Sequence, residues 1–233
     1  MSNQGFSFKK FFEDSKKALL SPKEYFSTME TTGGIGEPVV KALIYGAIAG
    51  VFALIWSLLN LSASSGLFGG GVGLLALIWS IIAAVIGVFI GAVIVLIISS
   101  IAKGNSEFEP SMRVAAAIMV IMPISAFFGF LGGVRILSTV INLAINLYGL
   151  YLLYLAVTLA LKGEDKPAKI VSYVLGGLLI LFFIIGLGTR SAVNKFSKSY
   201  EKETNKVLKE YQKAAEDAAK EFEEATKEME DDE

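Results

Sequence analysis

The chain predicts an all-α fold: a polytopic bundle of about five transmembrane helices, with N-terminal interfacial helices and a C-terminal amphipathic, coiled-coil-like helix. Three observations carry this. Of 233 residues, 54% are hydrophobic and only 18% charged, at a mean hydropathy of +0.60, which is too apolar for a soluble domain of this length. Residues 42–102 hold no Asp, Glu, Lys or Arg, chain enough for two spans of about 20 residues. Charge is also segregated, because 13 of the 22 acidic and 9 of the 21 basic residues follow Gly188. The sequence therefore divides into amphipathic interfacial helices (1–38), a transmembrane domain (39–188) and a charged helical tail (189–233).

From the N-terminus, Phe8, Phe11, Phe12 and Leu19 share one helical face, with Lys9, Lys10, Glu13, Asp14, Lys16 and Lys17 on the remainder. That pattern predicts a helix lying in the membrane interface. Ser21, Pro22 and Glu24 supply a cap, a first-turn proline and an acid three residues after the cap, so a second short helix starts there and buries Tyr25, Phe26 and Met29. The stretch TTGGIGEP at 31–38 ends it. No short apolar stretch of the signal-peptide kind precedes Val39, so the first span is expected to act as the targeting signal.

Five spans are predicted at 39–61, within 67–102, and at 111–137, 138–161 and 168–188. The second segment is long for a hydrocarbon core of about 30 Å. Either Gly69 to Gly73 form a loop or half-helix, or two short spans share the segment. Pro123, Gly129, Gly132 and Gly133 interrupt the third span, and its seam with the fourth at Arg135 is expected to turn tightly. Small residues at four-residue spacing, Ala42/Gly46/Gly50, Ala83/Gly87/Gly91 and Gly129/Gly133, suit close helix packing within the chain or between subunits. Lys41 and Arg113, at span ends, are expected to snorkel to the interface. With five spans, 11 basic residues flank the membrane on the N-terminal side and 6 on the other, which places the N-terminus in the cytoplasm. An even number of spans would put both termini there.

The chain has no Cys and no His, which removes disulfides, thiolate and imidazole metal ligands and His-assisted nucleophiles. No predicted span holds an Asp or Glu, so an aspartyl protease or a carboxylate proton relay is disfavoured. The Gly-rich stretches lack the Lys-Ser or Lys-Thr of a phosphate loop. No catalytic residue, cofactor, metal or nucleic-acid partner is expected. The sequon at Asn60 sits at the very end of a span, where glycosylation is not expected. The most unusual polar feature is in the fourth span. Ser138, Asn142, Asn146 and Gly149 share a face, with Arg135 one turn earlier. That face must meet protein or water, either as interhelical hydrogen bonds or as a polar path or headgroup site.

The tail repeats every 11 residues from Phe196: FSKSYEKETNK, VLKEYQKAAED, AAKEFEEATKE. Phe196, Tyr200, Val207, Tyr211, Ala218, Phe222 and Met229 fall on one stripe at 3.67 residues per turn, a candidate oligomer seam on a nearly straight helix. A solvated single helix is the alternative.

The segments LLSPKEYFSTM before the first span, KGNSEFEPSMRVAAAIMVIMP at the third and YGLYLLYLAVTLALKG leaving the fourth resemble the Yip family of Rab-interacting membrane proteins. Pro22, Phe26, Pro123 and Tyr148 are among the matching positions, and the likeness covers 19–188. It implies five spans, a cytosolic N-terminus, oligomers and, in eukaryotes, vesicle trafficking with Rab GTPases. The chain departs from the pattern in its short N-terminus and in the charged tail of 45 residues. The expected function is a non-catalytic membrane scaffold or adaptor, with a small transporter, channel or lipid-handling protein built on the Asn142/Asn146 face as the alternative. The expected partners are the lipid bilayer, further copies of the chain and proteins at the termini, a small GTPase only in a eukaryotic setting.

Overall fold

A computed structural model describes residues 6–59, 61 and 71–185, apart from the side chains of 71–74, 133 and 135. The chain divides into two compact units, Met1–Leu181 and Phe182–Glu233, and only the first four residues of the second are described, as helix. All regular structure among the described residues is helical: α1 Phe8–Leu20, α2 Pro22–Thr28, α3 Gly36–Leu58, α4 Gly71–Ile101, α5 Phe108–Ile118, α6 Ile121–Phe127, a 3-10 segment Phe128–Gly133, α7 Arg135–Leu155 and a π segment Ala156–Ala160. A last helix, α8, is Asp165–Ile185. Among the described residues, five helical stretches are long and apolar enough to cross a membrane: Gly36–Leu58, Leu75–Ile101, Phe108–Gly132, Ile136–Ala160 and Asp165–Ile185.

The second span is one helix. Gly71 to Gly73 begin α4, which runs 31 residues, about 46 Å at 1.5 Å per residue. Among the described residues, neither a loop at 71–73 nor a pair of short spans is formed; Gly69 and Gly70 lie outside them. The third span breaks where its proline dictates. Pro123 has no N–H for the carbonyl of Met119 and its ring crowds that group, so α5 ends at Ile118. Proline then falls in the first turn of α6, where a missing N–H is harmless. Val120 N–H reaches Ala117 O and Met122 N–H reaches Met119 O, three-residue bonds that carry the chain across the break.

Helices α3 and α4 form the tightest pair. A Cβ on Gly46 would lie 2.7 Å from that of Ala84 and 3.0 Å from Ser80 O, and one on Gly50 would lie 2.9 Å from Leu77 Cα. Ser80 Oγ donates to Gly46 O at 2.9 Å across this contact. The stripe predicted on α3 thus meets α4. On α4 the predicted stripe is one residue out of register, since Ala84, Val88, Ala92 and Val95 are buried while Ala83 and Gly87 are exposed. Methyl and isopropyl groups fit this face once α3 has supplied the glycines.

The N-terminal helices do not lie free of the bundle. Phe11 and Ala18 of α1 and Tyr25 and Phe26 of α2 belong to one buried cluster with Tyr45, Met112, Leu152 and Leu161. Ser7 caps α1 by accepting from Lys10 N–H. Ser21 occupies the N-cap position of α2 with Pro22 next, but its side chain makes no capping bond. Ser21 also ends α1, where its N–H donates to Lys17 O at 2.8 Å, and that double duty fixes its backbone away from the geometry a cap needs. The predicted single apolar face of α1 is split, because Phe11 turns inward while Phe8, Phe12 and Leu20 are exposed.

Candidate functional site

At the end of the bundle covered by α1 and α2, five charged side chains from three helices converge. Lys41 and Arg113, expected at the interface, are instead only 8% and 7% exposed. Docking of α1 and α2 covers the span ends from which they project, so their side chains reach carboxylates. Glu37 takes Lys41 Nζ on Oε1 at 2.8 Å and Arg113 Nη1 on Oε2 at 3.0 Å. Asp14, from α1, stands 3.7 Å from the same ammonium.

The loop between α2 and α3 closes around the Arg113 guanidinium. Nη2 donates to Gly34 O at 3.3 Å and Nη1 to Glu30 O at 3.4 Å, while Glu109, one turn before Arg113, accepts from Gly34 N–H at 2.5 Å. Gly33 and Gly34 have φ of +120° and +89°, a region open to glycine and strained for other residues. A Cβ on Gly33 would also lie 2.7 Å from Arg113 Nη2. The glycine pair read in the sequence as a helix breaker is therefore a cradle for one arginine. Its Nε is buried without a hydrogen bond among the described residues, 3.7 Å from Glu109 Oε1.

Beside this network lies a cavity of about 200 Å³, walled by Lys10, Asp14, Lys17, Tyr25, Lys41 and Arg113 among others. Burial, and after it the Asp14 carboxylate, push the Tyr25 phenol up from its ordinary pKa. Two hydroxyls tie α1 to the spans from either side: Ser15 and Tyr45 are hydrogen-bonded at 2.7 Å, and Tyr148 donates to Leu19 O at 2.5 Å. At the same end, the turns 102–107 and 161–164 bond each other through Asn105 N–H to Leu161 O and Glu164 N–H to Ala102 O, both 2.7 Å.

The face predicted on the fourth span is placed differently. Arg135 opens α7 and its side chain is outside the described residues. Asn142 is half-buried and accepts from Ser125 Oγ of α6 at 2.9 Å. Its Nδ2 donates to Ser138 O at 2.8 Å. Asn146 is exposed, not turned to the interior, and its Nδ2 donates to Asn142 O at 2.7 Å. Bonding back to a carbonyl four residues earlier meets part of the amide's need without a partner helix. Gly149, on the same stripe, admits Ile121, whose Cδ1 would be 2.6 Å from an added Cβ. The tail positions Phe196, Tyr200, Val207, Tyr211, Ala218, Phe222 and Met229 lie outside the described residues. The charged network was not singled out from the sequence as a site. Its signal was present in Glu37, Lys41, Glu109 and Arg113, four charges within one turn of spans otherwise almost free of them.

Five apolar helical stretches, one of them broken at a proline, with charges gathered under a two-helix cap, define a polytopic α-helical membrane protein. The family model for the Yip1 domain matches residues 16–187, and the chain belongs to that family. No curated protein and no solved structure matches it.

Proposed function

We propose that this Yip-family protein works as a non-catalytic membrane scaffold or adaptor, in membrane trafficking or membrane organisation. The observation that carries this reading is the docked cap. The inner faces of α1 and α2 are held by Phe11, Tyr25 and Phe26, while Phe8 and Phe12 are 62% and 59% exposed and stand among the lysines of α1. A pre-ordered helix with outward aromatics presents a binding surface at little entropic cost. The cap is read as cytoplasmic and the stripe from Phe196 to Met229 as the seam of a homo-oligomer; a small GTPase is a candidate partner only in a eukaryotic setting.

The test is to tag the full chain, crosslink it in native membranes and compare co-purifying proteins for the wild type and Phe8→Ser/Phe12→Ser by mass spectrometry. The reading expects a defined partner lost from the variant, and no solute flux from liposomes carrying the purified wild type. Specific flux abolished by Asn142→Leu, with no partner dependent on α1, would replace it with the transporter reading.

A further inference from the structure

The cavity under α1 and α2 holds more hydrogen-bond donors than its own carboxylates use. Four cations face it, Lys10, Lys17, Lys41 and Arg113, against the carboxylates of Asp14, Glu30 and Glu37. Glu37 has each oxygen committed to one cation, at 2.8 and 3.0 Å. The other two carboxylates are poorly engaged: Asp14 is 3.7 Å from Lys41 and Glu30 is 3.8 Å from Lys10, both beyond hydrogen-bond length. Lys17 has no ion pair among the described residues. Ammonium N–H groups are thus left over on three lysines of the wall, while Glu109, outside the lining, balances Arg113 at 3.7 Å. Its volume of about 200 Å³ is several times the ~30 Å³ a water occupies in the liquid.

We propose that this cavity binds the phosphate of an anionic phospholipid headgroup. The ligand chemistry is a phosphate ester, for which lysine serves as a point charge. Its source is fixed by the outer face of α1, where Phe8, Phe12 and Leu20 are exposed on a helix that also carries Lys9, Lys10, Lys16 and Lys17. Such a helix rests at the boundary between headgroups and acyl chains, which brings lipid phosphates beside α1, the helix whose opposite side, with Lys10 and Lys17, walls the cavity. Arg113 and Lys41 fix the floor through their bonds to Glu37 and to the glycine loop. Lys10 and Lys17, two helical turns apart on one face, form the outer wall and close on the phosphate. The site needs no protein partner, but it takes the Phe8/Phe12 face for lipid, and on any one copy that use excludes the partner contact of the adaptor reading.

The experiment is native mass spectrometry of the full chain in mild detergent, titrated with dioleoyl phosphatidylglycerol or dioleoyl phosphatidylcholine. The wild type is expected to retain one phosphatidylglycerol per chain in preference to phosphatidylcholine. Lys10→Gln/Lys17→Gln should weaken retention roughly 25-fold, about fivefold for each lysine removed. Lys9→Gln/Lys16→Gln takes the same charge from the same helix away from the cavity and should change retention less than twofold. Both pairs are exposed, and unchanged far-ultraviolet circular dichroism checks that both variants fold. Equal losses in the two variants would reduce the effect to general attraction between a basic helix and anionic lipid, and overturn the site. Inorganic phosphate that stabilises the protein in detergent as strongly as phosphatidylglycerol does would overturn the headgroup assignment.

Discussion

Replacing Arg113 by Met keeps the volume of the side-chain stem and removes the guanidinium, a direct probe of the glycine cradle. Removing one member of a buried ion pair costs ~3–5 kcal/mol when the partner is stranded. Glu37 is not stranded, because Lys41 remains at 2.8 Å, and the Glu37 and Glu109 side chains are 30% and 36% exposed, so solvent softens the loss. The carbonyls of Gly34 and Glu30 each lose a donor, at about 1 kcal/mol apiece. The net is ~2–4 kcal/mol, equivalent to a fall of about 4–16 °C in the melting temperature for a chain of this size. Arg113→Lys restores the charge but only one of the directions in which the planar fork donates, and should recover about half of the loss. The assay is thermal denaturation of the detergent-solubilised protein at a fixed scan rate, paired with hydrogen exchange. Exchange should quicken at Gly34, whose N–H is held by Glu109, and not along α4. A melting temperature for Arg113→Met within about 2 °C of the wild type, or full stability with lysine, would refute the argument that the loop is built around this side chain.

Glycine positions separate packing from propensity. Gly46→Ala forces a Cβ against Ser80 O and Ala84 and should cost ~1–3 kcal/mol in thermal stability, whereas Gly87→Ala, with nothing within 4 Å, should be neutral or stabilise by up to ~1 kcal/mol. Asn142→Leu removes the Ser125 contact and is expected to lower stability by about 0.6 kcal/mol; Asn146→Leu should lie within error in the same melts, and a larger loss there would contradict its exposed position. Single cysteines introduced at Ser2 and Glu233 are expected to be, respectively, protected and labelled by an impermeant maleimide on intact cells. Identical labelling would mean an even number of spans. Tyr211→Glu/Phe222→Glu in the tail should reduce the particle mass in size-exclusion light scattering, and an unchanged mass would remove the seam.

The spans were legible because lipid imposes a single rule over the whole length of a crossing helix, and the apolar run before Lys103 satisfies it whatever the tertiary contacts are. Pro123 announced the break in the third span for an equally local reason, the N–H it lacks. What depended on a partner element was harder to read. Ala83/Gly87/Gly91 and Ala84/Val88/Ala92 are both plausible stripes on α4. Only the glycines of α3 decide between them, and that information lies in a different helix, outside any window that helical periodicity can scan. Phe8, Phe11 and Phe12 read as one interfacial face because helical periodicity does not reveal that a bundle end is available to accept Phe11. For the same reason Lys41 and Arg113 read as snorkelling residues. Glu37 and Glu109 precede Lys41 and Arg113 by four residues, but the second partners that hold the cations in place, Asp14 for Lys41 and Glu37 for Arg113, lie in a different helix, which no local window shows.

The two ends of the bundle are held by different chemistry. At the end covered by α1 and α2, ion pairs and a glycine loop fasten the cap, and the lysines of α1 are exposed. At the other end the contacts are aromatic: Phe52 and Trp56 of α3 meet Phe127 and Phe130 in edge-on and tilted pairs with ring centroids 5.3–6.3 Å apart, and Trp56 Nε1 donates to Ala126 O at 2.9 Å. Tryptophan suits an interface because its ring is apolar and its N–H needs an acceptor; here the acceptor comes from the turn into the 3-10 segment, and the bond pins the top of α3 to the seam of the third and fourth spans. Cations bias the side on which they are retained during insertion, and aromatics do not. The asymmetry that stabilises each end therefore also distinguishes them during insertion, and the lysines that wall the proposed lipid cavity belong to the basic end.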